Sequence, residues 1–230
     1  MTSPARRHYL RTLAAQAQPA AGGDARDTAN ANAYELQLLQ LTEHRRRLKQ
    51  IMSLDNKLAA KREFLGTYTP WVEGVLQGDT GQQDEVLVTV LVWRIDVGDL
   101  AGALPLAEYA LRHALVMPDQ YHRGLPCVVA EQFAETALKQ ITAEQLPDLA
   151  ALQRVAEITA EHDMPDEARA KLYKAIGYTL RALDDKPGAI AALQRALALN
   201  AKAGVKRDIE LLERAIKNAA PDAGAAGGEG

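Results

Sequence analysis

A chain of 230 residues with 47% apolar and 25% charged content is long enough for one large domain or two small ones and ordinary for a soluble globular protein. Its single cysteine, Cys127, excludes an internal disulfide framework and a Cys-based zinc site, and no run reaches the roughly 18 uninterrupted apolar residues of a membrane span. Charge is split by position: residues 1–62 carry 11 Lys/Arg against 5 Asp/Glu, a net of +6, whereas 63–230 carry 16 against 25, a net of −9.

The first element begins with a helix signal. Ser3 is a cap, Pro4 fits the first helical position, and Arg6 through Ala17 continues without a breaker. Pro19 to Ala31 is dense in Gly, Pro, Asp and Asn, which predicts a flexible linker over 19–32 and makes 1–18 a mobile helical arm. Charges stand where a signal peptide needs its apolar stretch, so the expected compartment is the cytosol.

From Ala33 to Phe64 neither Pro nor Gly interrupts the chain. Tyr34, Leu38, Leu41, Leu48, Ile51 with Met52, Leu54 and Leu58 fall at mostly helical spacings, predicting a long basic helix or helical hairpin over 33–65 that buries this stripe against a partner. Arg45, Arg46, Arg47 and Lys49 lie on its middle, and Lys57, Lys61 and Arg62 near its end. Arg45 and Lys49 share a face, as do Lys57 and Lys61; like charges one turn apart cost a few tenths of a kcal/mol per pair unless negative charge compensates them. The competing reading is ordinary solvation of long side chains.

Gly66, Pro70, Gly74, Gly78 and Gly81 predict a connector over 66–81, with Trp71 packing it. Val86 to Val97 is rich in β-branched residues, but Val86, Val90, Trp93 and Val97 repeat at helical spacing, so a helix with Trp93 in the core is expected. Helical segments follow at about 100–116, 127–140, 145–162, 165–184, 187–200 and 204–218, which makes 82–218 a domain of α-helical hairpins. Residues 89–111 and 174–199 share one design, an apolar helix, a tight turn, then a helix with small residues at set steps. Ala103, Ala107 and Ala110 match Ala189, Leu193 and Ala196, and Tyr173, Gly177 and Leu180 add a partly tetratricopeptide-like pattern. Residues 219–230 read as a disordered tail. The composition, rich in Ala and Leu with 5% aromatics, agrees with an all-α fold.

Little catalytic chemistry is visible. No Gly-x-x-x-x-Gly-Lys-Ser/Thr run exists, so no P-loop ATPase is expected, and no cofactor or metal is assigned to this chain. The five histidines are widely separated. Asp166-Glu167 reads as a helix start and Asp184-Asp185 as a solvated turn, rather than as the converging carboxylates a metal-dependent nuclease requires.

MTSPARRH at 1–8, LAAKREFLGTYTPWVEGVL at 58–76, the hairpin at 89–111, DMPDEARAKLYK at 163–174 and AGVKRDIELLERAI at 203–216 resemble, in matching order, the small terminase subunits of tailed phages, in the branch of the temperate coliphage protein M. The tail departs from that pattern: members can end in a Lys/Arg-rich extension, and this chain ends in Gly and Ala with acids. The resemblance implies a genome-packaging role in the host cytoplasm. Such subunits bind the packaging (cos-type) site on double-stranded phage DNA, assemble as homo-oligomers, and recruit a large subunit on which ATP and Mg²⁺ are expected. Proteins of this branch are often labelled a terminase endonuclease subunit, although no catalytic residues are identified here.

The basic front end and the implied DNA partner together nominate Arg45, Arg46, Arg47 and Lys49 for phosphate contact, with Lys57, Lys61 and Arg62 next and Arg6, Arg7 and Arg11 as an arm. Two rivals remain at this level: a tetratricopeptide-like adaptor that binds only proteins, and a self-contained packaging endonuclease.

Overall fold

In the computed structural model, which describes residues 3–16, 25–118 and 123–219, every long stretch without a turn signal is helical, and ten α-helices are the regular elements among the described residues. The all-α expectation holds. The chain divides into two compact units, Met1–Val129 and Ala130–Gly230, with the boundary inside α6.

In the first unit, α1 (Pro4–Gln16) starts as Ser3 and Pro4 predict, with the Arg6 amide donating to Ser3 Oγ at 3.3 Å. It is not a free arm. Leu10, Leu13 and Ala14 are buried, and α1 lies against α3 (Leu54–Gly78) at the closest range two helices allow. A Cβ built on Gly74 would lie 2.2 Å from the Arg11 carbonyl oxygen, and one on Gly78 would lie 2.3 Å from that of Ala15. These glycines, read from sequence as connector residues, are the surface on which α1 seats.

The expected long element over 33–65 resolves as a helical hairpin whose second arm runs further than expected. Helix α2 (Ala25–Gln50) begins inside the predicted linker, and 51–53 connect it to α3. Residues 17–18 of the arm, 19–24 of the linker and 220–230 of the tail lie outside the described residues. Ser53 makes the break. Its backbone is extended (φ −66°, ψ 131°) and its Oγ accepts from the Asn56 amide, a local cap that the absence of Pro and Gly conceals.

Helix α3 then passes through Gly66 and Pro70 to Gly78, where Asp79 adopts a left-handed conformation (φ 47°) and ends it. The predicted connector over 66–81 is thus mostly helix. An internal proline costs roughly 3 kcal/mol of intrinsic helix stability. Burial of Phe64, Leu65, Tyr68, Pro70, Trp71, Val72 and Val75 offsets it, since one large side chain contributes about 1.5–3 kcal/mol.

Helix α4 (Glu85–Asp96) is almost wholly buried, as its near-continuous apolar run requires, and the β-branched residues do not divert it into a strand. Asp84 caps it and joins it to α3: Oδ1 accepts from the Leu87 amide and Oδ2 from Trp71 Nε1, each at 2.8 Å. Trp71 and Trp93 are both core residues. Helix α5 (Leu100–Arg112) returns along α4 after a tight turn held by Arg94 and Asp99, and buries Ala103, Ala107 and Ala110 completely. Helix α6 (Leu125–Thr142) carries Cys127 into the core, as expected.

The second unit continues with α7 (Leu149–Ile158), α8 (Asp166–Ala182), α9 (Lys186–Leu199) and α10 (Lys206–Ala219). Helices α8 and α9 pair closely because Gly177 leaves no Cβ where one would meet Leu193 Cδ2 at 2.7 Å. Ala189, Leu193 and Ala196 are fully buried, and Val205, Ile209 and Leu212 of the α10 region complete that core. Each copy of the internal repeat therefore forms an α-hairpin, α4–α5 and α8–α9. Of the tetratricopeptide-like positions, Gly177 is buried, while Tyr173 and Leu180 remain partly exposed.

Two glycines in α3 separate packing from propensity. Gly74→Ala forces α1 to move and should lower stability by about 1–3 kcal/mol, with faster proteolysis within residues 4–16. Gly66→Ala adds a Cβ with nothing within 4 Å and should raise stability by about 0.5–1 kcal/mol. Thermal unfolding of the two variants checks both signs.

Candidate nucleic-acid interface

The basic segment occupies the α2–α3 hairpin, and its register follows from ring contacts. Tyr34 stacks on Trp71 at 5.7 Å between centroids and His44 on Phe64 at 3.8 Å, so the helices run antiparallel. Phe64 and Tyr68 also meet Trp93 of α4, each at 6.0 Å. His44 belongs to this core: its ring lies 4° from the Phe64 plane and its Nδ1 is 2.8 Å from the Tyr68 hydroxyl. Burial, then the neighbouring Arg47 charge, hold His44 below its ordinary pKa. It is a neutral structural residue, not part of a cationic surface. Its spacing from Leu41 and Leu48 was the available signal, because i+3 and i−4 place it on the same buried stripe.

The ten nominated cations divide sharply. Arg45 is half-buried, with Nη1 donating to Glu85 at 2.5 Å and Nη2 to Thr89 Oγ1 at 2.7 Å. Lys61 pairs with Asp96 at 2.5 Å, again on α4, and Arg11 pairs with Glu73 on α3. These three clamp α1, α2 and α3 to their neighbours. Arg46 meets only Glu43, one turn away at 2.9 Å, with its side chain 70% exposed; a pair of this kind contributes about 0–1 kcal/mol. Arg47 is exposed and holds its guanidinium 4.9 Å from the Phe64 ring centroid. Lys49 and Arg62 are exposed and Lys57 is half-buried, and none of them has an ion pair among the described residues. Arg6 and Arg7 lie on the exposed side of α1.

Each face-sharing pair read from spacing therefore has one member engaged by α4. Arg45 and Lys61 reach acids there, and their partners Lys49 and Lys57 sit one turn closer to the hairpin tip. Asp96 is the last residue of α4 and pairs with Lys61, so the hairpin continues past that end of α4 by the length of 54–60, about 10 Å at 1.5 Å per residue. Lys49 and Lys57 lie toward this part, and exposed Arg46, Arg47 and Arg62 lie further from the tip on the same hairpin. The apolar stripe is not covered as expected there: Met52 is 91% exposed and Leu54 69%.

The acids considered for nuclease chemistry have other employment. Asp185 caps α9 by accepting from the Gly188 amide at 2.9 Å, Asp184 pairs with Lys186 in the turn, and Asp166 and Glu167 occupy the first turn of α8. Among the described residues no group of three or more His, Cys, Asp or Glu side chains is placed to hold a metal ion. No helix among them is long and apolar enough to cross a membrane.

The family model of the phage small terminase subunit matches residues 38–167, more than half of the chain and all of the α2–α3 hairpin from Leu38 onward. The chain is 46% identical over 217 residues to the terminase, endonuclease subunit of Escherichia phage P2, covering 94% of this chain and 87% of that one. It is 32% identical over 168 residues to the probable terminase, endonuclease subunit of Haemophilus phage HP1 (strain HP1c1), covering 67% of this chain and 60% of that one. No solved structure matches. The chain belongs to the phage small terminase subunit family.

The buried histidine sets a pH dependence. Because folding lowers the His44 pKa from 6.5, the unfolded chain takes up this proton first as pH falls. The His44 contribution to stability is complete above pH 6.5 and is lost as pH falls from there toward the folded value. Urea midpoints between pH 7.5 and 5.5 should show this loss in the native chain, and His44→Phe should flatten the slope over that interval.

Proposed function

We propose that this chain is the DNA-binding small subunit of a packaging terminase, and that it grips duplex DNA with the end of the α2–α3 hairpin. The observation that carries the reading is the division among the cations: Arg45, Lys61 and Arg11 are engaged by the chain's own acids, while Arg46, Arg47, Lys49, Lys57 and Arg62 of the same hairpin have at most a surface pair. A stretch with seven Lys/Arg and three Asp/Glu between Glu43 and Glu63 favours a polyanion. Arg6 and Arg7 supplement the grip from α1.

Membership of the family supports the rest. The subunit binds the packaging site, associates with further copies of itself, and recruits a large subunit that supplies ATP hydrolysis with Mg²⁺ in the host cytoplasm. The acidic remainder, with its hairpins, serves these protein contacts. DNA cutting is an activity of the assembled enzyme, to which this chain contributes site choice. The relatives' names favour a second reading, in which the chain itself cuts. Mg²⁺-dependent cleavage of packaging-site DNA by the purified chain alone would establish it.

Salt dependence tests the grip. Five phosphate contacts give a log–log slope near −4.5, a loss of about 500-fold in affinity between 50 and 200 mM salt. Changing Arg46, Arg47, Lys49, Lys57 and Arg62 to Gln should weaken binding and remove about four to five units of that slope while circular dichroism stays unchanged. Arg45→Gln should instead lower the thermal midpoint, because it leaves Glu85 and Thr89 of α4 without their partner. Unchanged binding by the five-fold variant would remove the hairpin from the interface.

A further inference from the structure

We propose that the connection between α2 and α3 is a wedge: Met52 and Leu54 enter between base pairs and kink the duplex that the flanking cations hold. This rests on the DNA-binding reading above and adds how the duplex is deformed. Exposed single apolar residues are common, but two large ones within three positions, Met52 on the connection and Leu54 at the first position of α3, where polar residues are the rule, are not explained by packing. Neither covers its own chain, at 91% and 69% exposure, whereas Leu41 and Leu48 of the preceding helix are buried.

A wedge must be stiff, projecting and flanked by positive charge. The connection is three residues long, and both helix ends that flank it are hydrogen-bonded. The Ile51 amide donates to the Leu48 carbonyl at 3.3 Å, and Ser53 accepts from the Asn56 amide with its side chain and from the Lys57 amide with its carbonyl. It projects because the hairpin continues past the last residue of α4. Positive charge stands on both sides, Lys49 three residues before Met52 and Lys57 three residues after Leu54, with Arg46, Arg47 and Arg62 behind. That combination selects DNA over an apolar protein groove. Phosphate contacts position the element, and apolar side chains such as Met and Leu unstack a base step and bend the helix by about 20–90°. Pyrimidine–purine steps yield most easily, so the wedge gives the subunit a sequence preference that needs no base-edge hydrogen bond.

The test is a duplex of about 30 base pairs with a central TpA step and a dye at each end, at 50 mM salt. Anisotropy reads binding and energy transfer reads bending. The native chain should bind and shorten the end-to-end distance. Met52→Ser with Leu54→Ser should bind within about 10-fold, since phosphate contacts dominate affinity, with the same salt slope but a straight duplex. Met52→Gln alone, close in shape, controls for any change in folding and should give an intermediate bend. Binding without bending by the native chain, or equal bending by the serine variant, overturns the wedge and leaves the DNA-binding reading in place. No binding by the native chain overturns both. A lower sedimentation mass of the serine variant without DNA would assign the tip to a second copy of this chain. Retention of the native chain but not the variant on phosphatidylglycerol vesicles, with duplex bending unchanged, would assign it to a lipid surface. Either result overturns the wedge.

Discussion

The first unit depends on α3 remaining one uninterrupted helix through Gly66, Pro70 and Gly74. Its two ends serve different partners. Near the C-terminal end, Gly74 and Gly78 present bare backbone to α1, and Trp71 donates to the cap of α4. In the middle, Phe64 and Tyr68 receive His44 of α2 and Trp93 of α4. Only the N-terminal turns before Lys61 reach past the last residue of α4. Burial pushes the Asp84 carboxyl above the usual carboxylate range, while hydrogen bonds from Leu87 and Trp71 oppose that shift. A charged or partly charged cap at this depth is tolerable only because both oxygens are hydrogen-bonded.

The same geometry sorts the basic residues into two kinds of work. A cation that faces α4 finds Glu85, Thr89 or Asp96 and becomes a clamp. A cation one turn further toward the tip has passed the end of α4 and finds none of these. The length difference between α3 and α4 therefore separates Lys49 and Lys57 from Arg45 and Lys61, while Arg46, Arg47 and Arg62 are exposed beside them.

The second unit shows the complementary economy of acids. Asp185 satisfies an amide that a helix start leaves unpaired, and Asp148 does the same for α7, where it accepts from the Ala151 amide. Lys171 is held between Glu131 and Glu135 on α6. Much of the negative charge of the remainder is thus spent on capping and pairing, and carboxylates that look available in the sequence are already committed in the fold.

All-helical class, the α1 start at Ser3 and Pro4, the burial of Trp93 and Cys127, and the small-residue hairpins α4–α5 and α8–α9 were determined by the sequence alone, because spacing, caps and side-chain volume are local properties. How far α3 runs was decided by tertiary structure, whereas the break at Ser53 is a local cap that is easily missed. Gly66 and Pro70 weaken a helix in isolation, and only burial of the residues around them restores it; Ser53 breaks one with no conspicuous breaker present. The sequence likewise placed seven cations on the hairpin but could not divide them, because whether a lysine meets an acid depends on where another helix stops, and that is a fact of packing and not of order along the chain.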